Sequence, residues 1–121
     1  MSTKTNKVAG WVLSGLVLLL LVASAGDKIR SSAHSLEMTR SFGIAPGTYR
    51  MLGIIELTSA ILFMFPKTGP LGLLLLSSYL GGAIATHLQH EQSVLFPAAI
   101  EALVWIAAAI RFPQLSIKLA R

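Results

Sequence analysis

The sequence predicts an all-α fold: a transmembrane antiparallel four-helix bundle with a short interfacial helix between spans 1 and 2. Three observations lead there. Hydrophobic residues make up 54% of the 121 positions and charged residues only 12%, whereas a soluble domain is about a quarter charged; mean hydropathy is +0.70. The apolar residues gather into four runs, about 8–25, 48–65, 71–87 and 95–112, each near the ~20 residues that carry a helix across a hydrocarbon layer. The runs also lack barrel alternation, so helices are the spanning element that satisfies their backbone in lipid.

Residues 1–7 (MSTKTNK) are polar and basic and read as a short disordered cytoplasmic tail. The run Val8 to Ala25 is too long for a signal-peptide core, although Ala23-Ser24-Ala25 looks like a cleavage site; Trp11 near its start suits an interfacial anchor, and the run is read as retained. Between residues 31 and 40, Ala33, Leu36 and Met38 are scattered among polar side chains, which predicts a short amphipathic helix at the interface. Gly43, Pro46 and Gly47 end it. Pro66-Lys67-Thr68-Gly69-Pro70 is a tight turn between spans 2 and 3. Residues 88–94 form a polar loop, Pro97 suits the first turn of span 4, and Pro113 marks its end before a basic tail with Lys118 and Arg121. Short links make sequential spans antiparallel, and residues 1–121 form a single domain.

Charge sets the expected orientation. Lys4, Lys7, Lys67, Arg111, Lys118 and Arg121 fall on one side; Lys28, Arg30, Arg40 and Arg50 fall on the other. Six against four places both termini in the cytoplasm and the protein in the plasma membrane, or the inner membrane of a bacterium. The net charge of +5 flanks apolar runs, which suits anionic membrane lipids rather than nucleic acid. With no cysteine, disulfides and thiolate chemistry are excluded. Ser77, Gly81 and Ala85, with Ser78, Gly82 and Thr86 beside them, form four-residue ridges that pack the bundle or serve a homodimer.

One carboxylate, Glu56, sits mid-way along span 2, where an unpartnered charge costs several kcal/mol. Counting from the non-cytoplasmic face at about 1.5 Å per residue, Glu56 is ~12 Å deep and Glu101 ~9 Å deep. His87 ends span 3 near that face, Tyr79 lies deeper on it, and Lys28 stands where span 1 leaves. Lys28, Glu56, Tyr79, His87 and Glu101 therefore share the outer half as a candidate pocket. Each also has a structural reading: a hydrogen-bonded neutral carboxyl (Glu56), a water-facing imidazole (His87), a register-fixing pair (Glu101), a snorkelling anchor (Lys28) or packing (Tyr79). No Glu-x-x-His pattern accompanies them and His87-Leu88-Gln89-His90 is an isolated pair, so no metal site is expected.

Lys28, Gly53-Ile54-Ile55-Glu56-Leu57, Pro66 and Tyr79-Leu80-Gly81-Gly82-Ala83-Ile84-Ala85-Thr86-His87 together resemble the DoxX-like family of small four-helix membrane proteins, as do Pro97 and Arg111-Phe112-Pro113. The resemblance implies Glu56 and His87 as signature polar positions. It implies a range of roles, from a quinone-linked oxidoreductase subunit to assembly factors and partners of redox enzymes. The expectation drawn from residues and resemblance is an accessory or assembly module. Its pocket would take a partner membrane protein or a small lipophilic ligand, with no cofactor evident and the isolated chain not itself an enzyme. The alternative is a quinone-reactive subunit, with His87 and Tyr79 on the quinone carbonyls and Glu56 relaying protons.

Overall fold

The computed structural model describes residues 3–113 and 115. Those residues form five helices and no strand: α1 (Thr3–Ile29), α2 (Ala33–Phe42), α3 (Pro46–Met64), α4 (Gly69–Gln89) and α5 (Leu95–Arg111). Two helices, over Lys4–Ile29 and Gly69–Gln89, are long and apolar enough to cross a membrane. Helix α5 is shorter, at 17 residues, and α3 carries both Arg50 and Glu56 within its 19.

Helix α1 begins at Thr3, so Lys4 and Lys7 are helical rather than part of the disordered tail expected for residues 1–7. No Gly or Pro interrupts residues 3–9, and a helix already nucleated downstream extends at little cost. The basic tail expected after Pro113, with Lys118 and Arg121, lies outside the described residues. The amphipathic helix expected near 31–40 is α2, displaced by two residues. The Ser32 hydroxyl accepts from the Ser35 N–H at 3.0 Å and sets its start. Gly43, at φ 68°, closes it in the left-handed conformation, its N–H bonded to the Thr39 carbonyl. Pro46 then opens α3 in the first turn, where a missing N–H costs nothing.

Each long helix packs against two others: α1 against α3 and α5, and α4 against the same two. Glycines mark where backbones touch. A Cβ on Gly72, near the start of α4, would lie 2.3 Å from the Phe63 nitrogen near the end of α3. One on Gly69 would lie 2.2 Å from the ring of Phe112, just after α5. One on Gly53 of α3 would meet Lys28 and Ala25, close to the end of α1. Between the helices Val17, Leu21, Phe63, Leu76 and Val104 form the centre of an apolar core.

The outside of this core is as apolar as the inside. Leu19, Leu74 and Leu95 are 71%, 61% and 75% exposed, while Ser14, Ser59 and Glu56 are buried. Contiguous exposed apolar surface is rare on soluble monomers. An apolar exterior over scattered interior polar groups is the pattern that lipid favours.

Candidate functional site

Glu56 lies on the buried face of α3 with Tyr49, Gly53, Ala60 and Phe63. Its residue is only 2% exposed. Three donors converge on one of its oxygens, Oε1. The Lys28 ammonium approaches to 3.0 Å, the Tyr79 hydroxyl donates at 3.1 Å, and the Ser24 hydroxyl donates at 3.3 Å. Lys28 also donates to Ser24 Oγ at 2.6 Å, so ammonium, hydroxyl and carboxylate close a three-membered ring of hydrogen bonds. Three helices supply the cluster: α1 gives Ser24 and Lys28, α3 gives Glu56, and α4 gives Tyr79.

The ammonium is held by rings as well as by charge. Lys28 Nζ lies 5.5 Å from the centre of the Tyr49 ring and 6.0 Å from that of Tyr79. Both distances are within reach of a cation–π attraction. The glycine at position 53 makes room for this: a Cβ there would sit 2.8 Å from Lys28 Cβ and 3.0 Å from the Ala25 carbonyl. The Gly-x-x-Glu spacing thus has a geometric reason. The glycine admits the lysine stem, and one turn later the carboxylate meets its head.

His87 and Glu101 sit in other surroundings. His87 Nδ1 bonds the Ala83 carbonyl one turn back on α4, at 2.7 Å. A carbonyl only accepts, so Nδ1 carries the proton in that bond. The imidazole meets the Phe42 ring of α2 edge to face at 5.0 Å, and His90 meets the same ring at 5.5 Å, so Phe42 packs against both histidines. His87 is eight residues beyond Tyr79, ~12 Å along the axis. Glu101 accepts from the Trp105 indole one turn ahead on its own helix, at 3.2 Å. The structure therefore joins Lys28, Glu56 and Tyr79, and leaves His87 and Glu101 in separate local contacts. It adds Ser24 and Tyr49, which the sequence reading did not single out. Ser24 stands four residues before Lys28 and Tyr49 seven before Glu56, helical spacings that mark a shared face.

Among the described residues no group of three or more His, Asp or Glu side chains is placed to hold a metal ion. The arrangement is a neutralised acceptor: one carboxylate, one ammonium and two hydroxyls enclosed by apolar packing. A model of the DoxX-like family matches residues 12–107, a stretch that includes every residue of the cluster. The chain belongs to the DoxX-like family. No curated protein and no solved structure matches it. Within this DoxX-like chain the matched stretch begins inside α1 and ends inside α5.

Proposed function

We propose that this DoxX-like protein is a multi-pass membrane module, an antiparallel bundle of α1, α3, α4 and α5 with α2 at the interface. In this reading the Glu56 cluster is a recognition site for a small lipophilic ligand with a polar head, and the chain acts as an accessory module, not as an isolated enzyme. The glycine contacts support the antiparallel reading, because each pairs the start of one helix with the end of its neighbour. Both termini face the cytoplasm by the distribution of Lys and Arg.

One observation carries the functional reading: three donors from two other helices spend themselves on a single oxygen of a buried carboxylate. A buried ion pair is a poor source of stability, since apolar side chains of the same volume serve as well or better. Retaining one inside an apolar bundle is better accounted for by recognition, as intramembrane ionisable groups mark sites. The enclosure also selects the kind of ligand. Glu56 is too buried for a partner helix to touch, whereas a small molecule entering between α1, α3 and α4 can exchange its own polar head for one of the donors.

The test is extraction of the purified full chain with organic solvent and mass spectrometry of the lipophilic fraction. Glu56→Gln and Tyr79→Phe are expected to lose a molecule that the unmodified chain retains, at unchanged helical content. A quinone in that fraction would name the ligand class. Identical extracts from folded protein of all three kinds would overturn the proposal.

A further inference from the structure

Among the described residues, the opposite end of the molecule has cationic side chains and no acidic one. The five acidic residues are Asp27, Glu37, Glu56, Glu91 and Glu101. Of these, Glu101 is the one on α5, and it stands ~15 Å along the axis from Arg111. The ion pairs among the described residues, Lys28–Glu56 and His34–Asp27, are both at the far end. Arg111 instead lies among aromatic faces, its guanidinium carbon 4.2 Å from the Trp11 ring centre, 4.8 Å from Phe63 and 4.9 Å from Phe112. It donates to Ser14 Oγ at 3.0 Å and to the Met64 carbonyl at 3.2 Å, and its Nε is buried without a partner. Trp11 is thereby fixed in place by a cation behind it.

On the outer face of α1, Lys4, Lys7, Val8, Trp11 and Val12 border a shallow, open surface. Their spacing puts them on one side of the helix. The order along the axis is two ammoniums, then an amphipathic ring, then branched aliphatics. Gly15 leaves open space beyond, and Leu16 and Leu19, both exposed, continue the apolar track. That sequence of polarities runs parallel to a phospholipid: phosphate, glycerol and ester carbonyls, acyl chain.

We infer that this face of α1 is a binding site for an anionic phospholipid. Lys4 and Lys7 hold the headgroup phosphate, Trp11 lies at ester level with Arg111 behind it, and one acyl chain follows Val12, Leu16 and Leu19. Charge complementarity decides the occupant: a zwitterionic headgroup brings its own ammonium to a surface that already carries two, with no acidic side chain among the described residues at this end to receive it.

The chain has two tryptophans, Trp11 and Trp105. In a Trp105→Phe background Trp11 is the sole indole reporter. The full chain is reconstituted in phosphatidylcholine vesicles containing a minor fraction of acyl-brominated phosphatidylglycerol, or the same fraction of acyl-brominated phosphatidylcholine. Trp11 fluorescence is expected to be quenched more by the anionic lipid, with the preference reduced by high salt. Lys4→Gln and Lys7→Gln are exposed substitutions that leave packing intact, and each is expected to lower the preference about fivefold. Equal quenching by the two lipids, or a preference untouched by the double substitution, would overturn the inference. So would loss of the preference on adding soluble glycerol phosphate, since the free headgroup would then suffice.

Discussion

The Lys28–Glu56 pair allows a prediction in which the sign of an effect, not only its size, tests the structure. The side chains are 13% and 3% exposed and 3.0 Å apart. Removing one partner leaves the other charged or uncompensated in a dry setting, which costs about 3–5 kcal/mol. Lys28→Met alone and Glu56→Leu alone should each lose that much. The double variant buries no charge. Its residual losses are three hydrogen bonds, those of Tyr79 and Ser24 to the carboxylate and that of Lys28 to Ser24, and such bonds in membrane proteins average about 0.6 kcal/mol each. It should therefore lie within about 2 kcal/mol of the unmodified chain, well above either single variant. The measurement is reversible unfolding in mixed micelles, followed by circular dichroism, for the four proteins of the cycle. A double variant that loses the sum of the two singles would refute the reasoning, because it would mean the two side chains do not meet. Tyr79→Phe adds a control at about 0.6 kcal/mol; a loss as large as that of Lys28→Met would show the phenol, not the ammonium, to be the principal partner of the carboxylate.

Two further expectations use the same unfolding assay. Gly72→Ala places a methyl group against the Phe63 backbone and should cost about 1–3 kcal/mol as α3 and α4 are pushed apart; Gly81→Ala meets nothing within 4 Å and should instead stabilise α4 by about 0.5–1 kcal/mol. Like effects from the two would contradict the packing. Gly43→Ala must hold φ near +68° at the end of α2 and should cost about 1 kcal/mol, seen as fraying of α2 by amide hydrogen exchange, whereas loss of protection in α3 alone would place the strain elsewhere.

Level along a helix was legible in the sequence and azimuth was not. Counting residues from a common face brought Lys28, Glu56 and Tyr79 to neighbouring levels, and their side chains do meet. The same count put Glu101 at a comparable level, yet the inward face of α5 is Pro97, Ile100, Val104, Ala107 and Ala108. Glu101 follows Ile100 by one residue, a rotation of ~100°. In a helix apolar on nearly every side the hydrophobic pattern cannot report that rotation. His87 stands apart from the cluster for a different reason. It follows Leu80 by seven residues and so shares its face, but the face at that level is met by Phe42 of α2. Ser24 and Tyr49 were readable only after Lys28 and Glu56 had been paired, because a lone serine or tyrosine in an apolar run gives no signal of its own.

The two ends of the molecule handle a cation by different physics, and the difference follows from where carboxylates are available. Lys28 is a compact ammonium, strongly hydrated, and sheds water only against an anion and hydroxyls; Glu56, Ser24 and two phenol rings supply these. Arg111 is a delocalised guanidinium, weakly hydrated and flat, suited to stacking on rings. It takes Trp11, Phe63 and Phe112, with the Met64 carbonyl contributing the negative end of α3. Exchanging the two residue types would fail at both places. A lysine at 111 could not present a plane to three rings, and an arginine at 28 would bring a broad fork to the gap that Gly53 opens for a narrow stem. The glycine and the lysine are therefore a matched pair, and the Gly-x-x-Glu motif is incomplete without the residue on α1 that it was shaped to receive.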